Sequence, residues 1–484
     1  MSDAPKSERK TLTPDLAIIG AGSGGLSIAS GAAQLGLDVV LFEDGEMGGD
    51  CLNTGCVPSK ALLAIAHAAH DIRSASADFG IETAPPDINW EKVKAKVRAV
   101  IEEIAPVDSQ ERFEGLGVTV IRETAQFADE ATLVSKTVEV KPRRIVIAAG
   151  SKAFVPTVYG LETLPYWTNE TIFDIPDRPD HLMIMGGGPI GLELAQAFYR
   201  LGSKVTVIEM QKALGRSDPE HAAEALRKLR QEGITILEGH EVVEVSGTDK
   251  NLTLRTESAE GATFIKGDQL LIAVGRTPSL DKLNLDAGGV THNKQGIVTK
   301  DNLRSVSNSR VWAVGDIAGR GQFTHLAGWH ASIFVQAALM KLPAKAVTQQ
   351  LPAVTYVDPE IGQIGMSEAE AKKAYGDAIE TVEFPFSEID RAITDRRKTG
   401  SLKLFIRKNG KIVGASILGQ GGGDILQIVS VAMANKLSLR DLTKHISPYP
   451  TRAEIVKRAA SSYYSPKLFS PLVSKLVGLL QRIP

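Results

Sequence analysis

The chain has 484 residues, of which 43% are hydrophobic and 23% charged, with a formal net charge of -2. That length supports about three domains, and the near-neutral charge provides no electrostatic footprint for nucleic acid. No apolar run is long enough to cross a bilayer, and the low cysteine usage fits a reducing compartment, so the expected location is the cytoplasm.

Residues 1–13 are polar without an apolar core, which reads as a disordered lead-in and not as a signal peptide. Residues 15–20 form a short buried strand that runs into Gly20-Ala21-Gly22-Ser23-Gly24-Gly25 and then a small-residue helix through Leu35. A second strand, 38–42, ends at Glu43. In this strand, turn, helix, strand, acid order, Gly20 permits a tight turn and Gly22 admits a pyrophosphate to the backbone. Gly25 lets helix and strand pack closely, and Glu43 can accept from a ribose hydroxyl.

The two cysteines follow in Gly48-Gly49-Asp50-Cys51-Leu52-Asn53-Thr54-Gly55-Cys56-Val57-Pro58-Ser59-Lys60. Their spacing is too wide for a thioredoxin-type pair and lacks the second half of a zinc site. Five residues of regular helix rise about 7.5 Å, whereas a disulfide needs Cα atoms within about 7 Å. A bond here therefore requires a distorted turn, which also makes it easier to reduce. Pro58 suits the first turn of a helix through Ala69, which puts Cys56 at a helix N-terminus where thiolate is favoured. Lys60 lies about one turn further on.

Residues 91–117 read as a helix of mixed charge and 118–147 as antiparallel strands. The dinucleotide construction then returns: strand 181–185, turn Gly186-Gly187-Gly188-Pro189-Ile190-Gly191, helix to Leu201, strand 204–208 and Glu209. Two copies, each with its acid, point to two nucleotides on one chain. Two nucleotides and a cysteine pair imply an electron relay, in which a flavin links a nicotinamide to a disulfide. Further on, residues 402–407 and 411–418 alternate as a hairpin around Asn409-Gly410. Gly421-Gly422-Gly423 reads as a turn before a helix, since no Lys-Ser/Thr follows it. After Glu454 there is no acid, while Lys457, Arg458, Lys467, Lys475 and Arg482 appear, and residues 471–480 suit a short interfacial helix that could touch a membrane or pack on a subunit surface.

From about residue 14 to 465 the chain resembles the FAD-dependent pyridine nucleotide–disulfide oxidoreductases, which include dihydrolipoamide dehydrogenase, glutathione reductase and mercuric reductase. The resemblance rests on both glycine turns and the cysteine motif, with Asp50 where threonine is usual. It rests also on Ile145-Val146-Ile147-Ala148-Ala149-Gly150, Leu271-Ile272-Ala273-Val274-Gly275-Arg276 and Val311-Trp312-Ala313-Val314-Gly315-Asp316. It implies an α/β fold with two Rossmann-like domains and an α+β dimerisation domain. FAD would occupy 14–155 and 276–345, NAD 156–275, and the dimer interface 350–465, followed by a tail, 466–484.

The resemblance assigns FAD to Gly20, Gly22, Ser23, Gly24, Gly25, Glu43, Gly49, Asp50, Lys60, Ala149, Gly150, Ser151, Gly315 and Asp316, the last on the ribityl chain. It assigns NAD to Gly186, Gly188, Ile190, Gly191, Glu209 and Gly275. By the same resemblance Cys56 is the flavin-proximal thiol, Cys51 the interchange thiol, and Lys60 pairs with Glu193 near the flavin. Glu209 would repel a 2′-phosphate, so NADH is preferred to NADPH, with Lys212 the nearby cation that softens the preference. The substrate would be a disulfide or thiol, small or protein, at an active site shared across a homodimer.

The pattern breaks at Tyr449-Pro450-Thr451-Arg452-Ala453-Glu454, where the family's disulfide reductases carry histidine at the tyrosine position. A phenol near pKa 10 is a poor base but can donate a hydrogen bond or a proton. Mercuric reductases carry tyrosine there together with a C-terminal cysteine pair that this sequence does not have. A disulfide reductase is therefore expected, with a metal-ion reductase, or a redox sensor passing electrons to a membrane partner, as alternatives.

Overall fold

A computed structural model describes residues 9–346 and 348–483. The first eight residues of the expected lead-in lie outside the described residues. Its end is a correction: Lys10–Leu12 is a strand, parallel to Val138–Val140.

The first dinucleotide motif sits on a five-stranded parallel sheet. Its order is Val311–Ala313, Arg144–Ile147, Leu16–Ile19, Val39–Phe42 and Val118–Ile121. These strands are short, and those at its centre are buried throughout (Leu16–Ile19 and Val39–Phe42), as covered parallel strands require. The expectation of antiparallel strands over 118–147 holds only for the middle of that stretch. Gln126–Asp129, Thr132–Val134 and Val138–Val140 form an antiparallel meander, whereas Val118–Ile121 and Arg144–Ile147 join the parallel sheet. Val118–Ile121 is an edge strand, so its half-exposed pattern imitates an antiparallel one. The single helix expected over 91–117 is two, Trp90–Asp108 and Gln110–Gly115, separated by Ser109, which caps the second.

The second motif sits on a four-stranded parallel sheet, ordered Thr235–Glu238, Lys204–Glu209, His181–Met185 and Gln269–Ile272. A three-stranded antiparallel sheet over Glu241–Gly267 flanks it.

The C-terminal part is a five-stranded antiparallel sheet covered by helices Gly422–Ala434 and Glu454–Leu468. The hairpin forms as the sequence indicates, with Leu402 opposite Ile417 and Gly410 at φ 82° in the turn. The glycine triplet is a helix start, Gly421 taking the left-handed cap at φ 70°. No helix among the described residues is long and apolar enough to cross a membrane.

Candidate active site

The cysteine motif folds as two helices with a break between them. Gly49–Asn53 ends at Thr54, Gly55 is non-helical, and Cys56–Phe79 begins at once. Gly55 is needed here, because a Cβ on it would lie 2.8 Å from the carbonyl oxygen of Asp50. The break is the distorted turn that the cysteine spacing requires. The long helix has Pro58 in its first turn, an alanine-rich body and a left-handed Gly80 at its end. Its buried face, including Leu62, Leu63 and Ala66, packs in one core with Leu192, Leu194 and Ala195 of helix Pro189–Arg200.

That packing brings Lys60 to Glu193. Lys60 Nζ lies 2.7 Å from Glu193 Oε2 and 4.6 Å from the centre of the Tyr356 ring. Glu193 is buried, and its second oxygen accepts from the Tyr356 amide at 2.9 Å.

Both cysteines are free thiols, Cys51 half-buried and Cys56 exposed. The Cys56 thiol is pushed down to about 6, chiefly by the hydrogen bond that Cys51 gives it, with burial opposing, Thr324 and the Lys60 charge helping, and Asp50 opposing more weakly. Cys51 is pushed well up, first by that shared hydrogen bond and then by burial. Cys56 Sγ lies 3.5 Å from Thr324 Oγ1. The pair is thus poised with the thiolate on Cys56, at a helix N-terminus.

The two glycine turns are built alike. Gly20 and Gly186 have φ of 104° and 110°, which L side chains rarely adopt. A Cβ on Gly25 would collide with the Gly20 carbonyl oxygen, and one on Gly191 with that of Gly186. Glu43 accepts from the Ala21 and Gly45 amides, at 2.6 and 2.7 Å, and Glu209 from those of Gly187 and Gln211, at 2.7 and 2.8 Å.

One cleft of about 2790 Å³ runs past both turns and both cysteines. That is well beyond the roughly 300–1,000 Å³ of an ordinary ligand pocket and has room for two dinucleotides. Gly20, Gly22, Ser23, Gly24, Glu43, Gly49, Asp50, Ala149, Gly150, Ser151, Gly315 and Asp316 line it, as do Gly186, Gly188, Ile190, Glu209, Gly275, Lys60 and Glu193. Gly25 and Gly191 do not line it, and stand where each helix meets its strand. Gly49 also closes on the first turn, since a Cβ there would lie 2.7 Å from Gly22 Cα. This bare backbone cradle fits a pyrophosphate.

Asp50 meets partners from elsewhere in the chain. Its carboxylate accepts from Thr54 Oγ1 at 2.8 Å and Asn169 Nδ2 at 3.3 Å, and lies 3.2 Å from an Arg276 guanidinium nitrogen. Arg276 Nε donates to Ser151 Oγ at 2.8 Å, and that hydroxyl donates to Asp316 at 2.6 Å. Burial raises the Asp316 carboxyl above its usual range. Behind it, the Gly315 amide donates to His330 Nδ1 at 3.2 Å, and burial keeps that imidazole neutral, at a pKa of about 4.

Asn169, Thr324, Tyr356 and His330 carry no signal as site residues in the sequence, and Arg276 stands in a motif, next to Gly275, that assigns it no role at the site.

Tyr449 and Glu454 are not brought to the cysteines within one chain, and neither lines the cleft. Tyr449 is 68% exposed and donates to Asp390 at 2.8 Å, a bond that raises its pKa further. Glu454 accepts from Arg458 at 2.9 Å and does not meet Tyr449.

Comparison with known proteins agrees with this geometry. Residues 14–331 match the family model "Pyridine nucleotide-disulphide oxidoreductase", and 351–460 match its dimerisation domain. A mercuric reductase of Streptomyces lividans is 33% identical over 457 residues, covering 93% of this chain and 96% of that protein. One from Lysinibacillus sphaericus is 31% identical, covering 93% and 82%. Among solved structures, the HOCl-induced flavoprotein disulfide reductase RclA from Escherichia coli matches with a TM-score of 0.81 at 26% identity, over 92% of this chain and 99% of that one. The chain belongs to the pyridine nucleotide–disulphide oxidoreductase family: it is an oxidoreductase that acts on sulfur groups and uses FAD and a pyridine nucleotide, and its dimerisation domain supports a homodimer.

Proposed function

We propose that the protein reduces a disulfide with NADH: NADH + H⁺ + RSSR → NAD⁺ + 2 RSH. The observation that supports this best is the single cleft that holds the cysteine pair between two dinucleotide cradles. The domain division that goes with it is FAD on 14–155 and 276–345, NAD on 156–275 and the dimer contact on 350–465. A reducing cytoplasm suits free thiols.

FAD, when bound, converts the two-electron donation of NADH into reduction of the Cys51–Cys56 bond. Lys60, held by Glu193, places a cation where negative charge develops. Cys51 attacks one substrate sulfur, forming a mixed disulfide and releasing one thiolate. The Cys56 thiolate then attacks Cys51 Sγ, which releases the second thiolate and restores the Cys51–Cys56 bond. Both departing thiolates need protons. Cys51 must first pass its own proton to Cys56 along the shared hydrogen bond. Cys56 becomes a thiolate again by giving that proton to the first departing thiolate, and the second departing thiolate takes the H⁺ of the overall equation from solvent. The arrangement is economical for acidic, activated thiols and slow for ordinary ones, because the group at 449 is a phenol engaged with Asp390. Tyr449 and Glu454 act from the other subunit of the dimer.

Glu209 supports NADH over NADPH, since it lines the cleft with its carboxylate held at the second turn by the Gly187 and Gln211 amides; Lys212 and Arg216, which also line it, are the groups that would favour a phosphate. A second reading is supported by the relatives, which are mercuric reductases: the substrate would be a soft metal ion bound by the two thiols. Steady-state NADH oxidation with lipoamide, glutathione disulfide, an aromatic disulfide, Hg(II) and Cu(II) separates them. The disulfide reading expects the aromatic disulfide to be reduced well and Cys51→Ser to abolish its reduction. Turnover confined to metal ions would overturn it.

A further inference from the structure

We propose that the C-terminal helix docks the protein on an anionic lipid surface. Helix Pro471–Leu480 contains no buried residue, although seven of the thirteen positions from 471 to 483 are Leu, Val or Ile. Leu472 is 78% exposed, Leu479 59% and Ile483 67%. A soluble surface does not normally leave such a contiguous apolar face uncovered.

The apolar residues are segregated. At about 100° per residue, Leu472, Leu476, Leu479, Leu480, Val473 and Val477 fall in one continuous arc of about 160°. Pro471, Ser474, Lys475 and Gly478 fill the rest. Lys475 thus lies on the polar side of this helix, Arg482 follows just past its end, and no acid follows Glu454. Apolar residues in one arc and cations outside it match the headgroup boundary of an anionic bilayer, where the arc sinks in and the cations meet lipid phosphates. At ten residues the helix is too short to span and suits lying in the plane. Pro471 at its first position, after the Phe469–Ser470 break, sets it apart from Glu454–Leu468, whose buried face belongs to the C-terminal core.

The test is sedimentation of the FAD-loaded full chain with vesicles of phosphatidylcholine alone or mixed with phosphatidylglycerol, alongside light scattering for the oligomer. The native protein is expected to pellet with the anionic vesicles and to be released by high salt. Lys475→Gln and Arg482→Gln should each weaken partition about fivefold. Leu476→Asp, which puts charge in the middle of the arc, should weaken it at least about tenfold, while dimer mass, bound FAD and turnover on an aromatic disulfide stay unchanged. The proposal is overturned by native protein that stays in the supernatant with anionic vesicles, or by equal binding to neutral ones. It is overturned also if Leu476→Asp splits the dimer, which would make the arc a subunit contact.

Discussion

The two glycine turns are near copies, yet they sit in different surroundings. Around the first, Gly49 closes on Gly22, and Asp50, Arg276, Ser151 and Asp316 form a continuous polar chain from the redox helix to the ribityl motif. Around the second, Glu209 is followed by the exposed Met210 and by Gln211, Lys212 and Arg216 at the cleft wall. Under the proposed division, the same backbone device would serve a retained cofactor where other segments close over it, and an exchanging one where they do not. Lys60–Glu193 is the joint between the halves.

The largest effect should come from breaking each turn separately. Gly25→Val drives a side chain into the Gly20 carbonyl and should give protein that purifies without flavin; Gly191→Val should leave it yellow but unable to accept electrons from NADH. Flavin absorbance before and after anaerobic NADH decides the matter, and a colourless Gly191→Val would show that the two sites are not independent. Next comes the joint. Glu193→Gln removes the charge that holds Lys60, and stopped-flow reduction by NADH should slow by about 10²-fold with FAD still bound.

A smaller change should follow at the open turn. Glu209→Ala should raise the NADPH-to-NADH ratio of kcat/KM about tenfold. An unchanged ratio would remove Glu209 from nucleotide selection. The smallest effect concerns the closed side. Alkylation of Cys56 in the reduced protein should rise with pH through a midpoint of about 6, because only the thiolate reacts. The Asp50 carboxylate opposes that thiolate, so Asp50→Asn should move the midpoint down, and an upward move would show that the Arg276 contact matters more than the charge.

Both turns were legible because the glycine positions follow from local backbone need: positive φ at Gly20 and Gly186, and no room for a Cβ at Gly25 and Gly191. The broken helix between Cys51 and Cys56 was legible for the same reason, from spacing and chain geometry. The Asp50–Arg276 contact was not, because it joins residues more than two hundred positions apart, in two motifs whose sequences say nothing of their meeting. Thr324 and His330 are hidden likewise, on a helix that returns to the first turn only in three dimensions. Val118–Ile121 misled because an edge strand of a parallel sheet is only partly buried, as an antiparallel strand is. The substituted position at 449 was visible in the sequence, but its partner Asp390 was not.

The central claim is that electrons from NADH pass through the flavin to Cys51 and Cys56. An anaerobic titration with NADH, with thiols counted after quenching in denaturant at each addition, tests it directly. The account predicts that the first equivalent per protomer produces two new thiols while the flavin remains largely oxidised, and that Cys51→Ser and Cys56→Ser produce none. A first equivalent that bleaches the flavin and leaves the thiol count unchanged would contradict it.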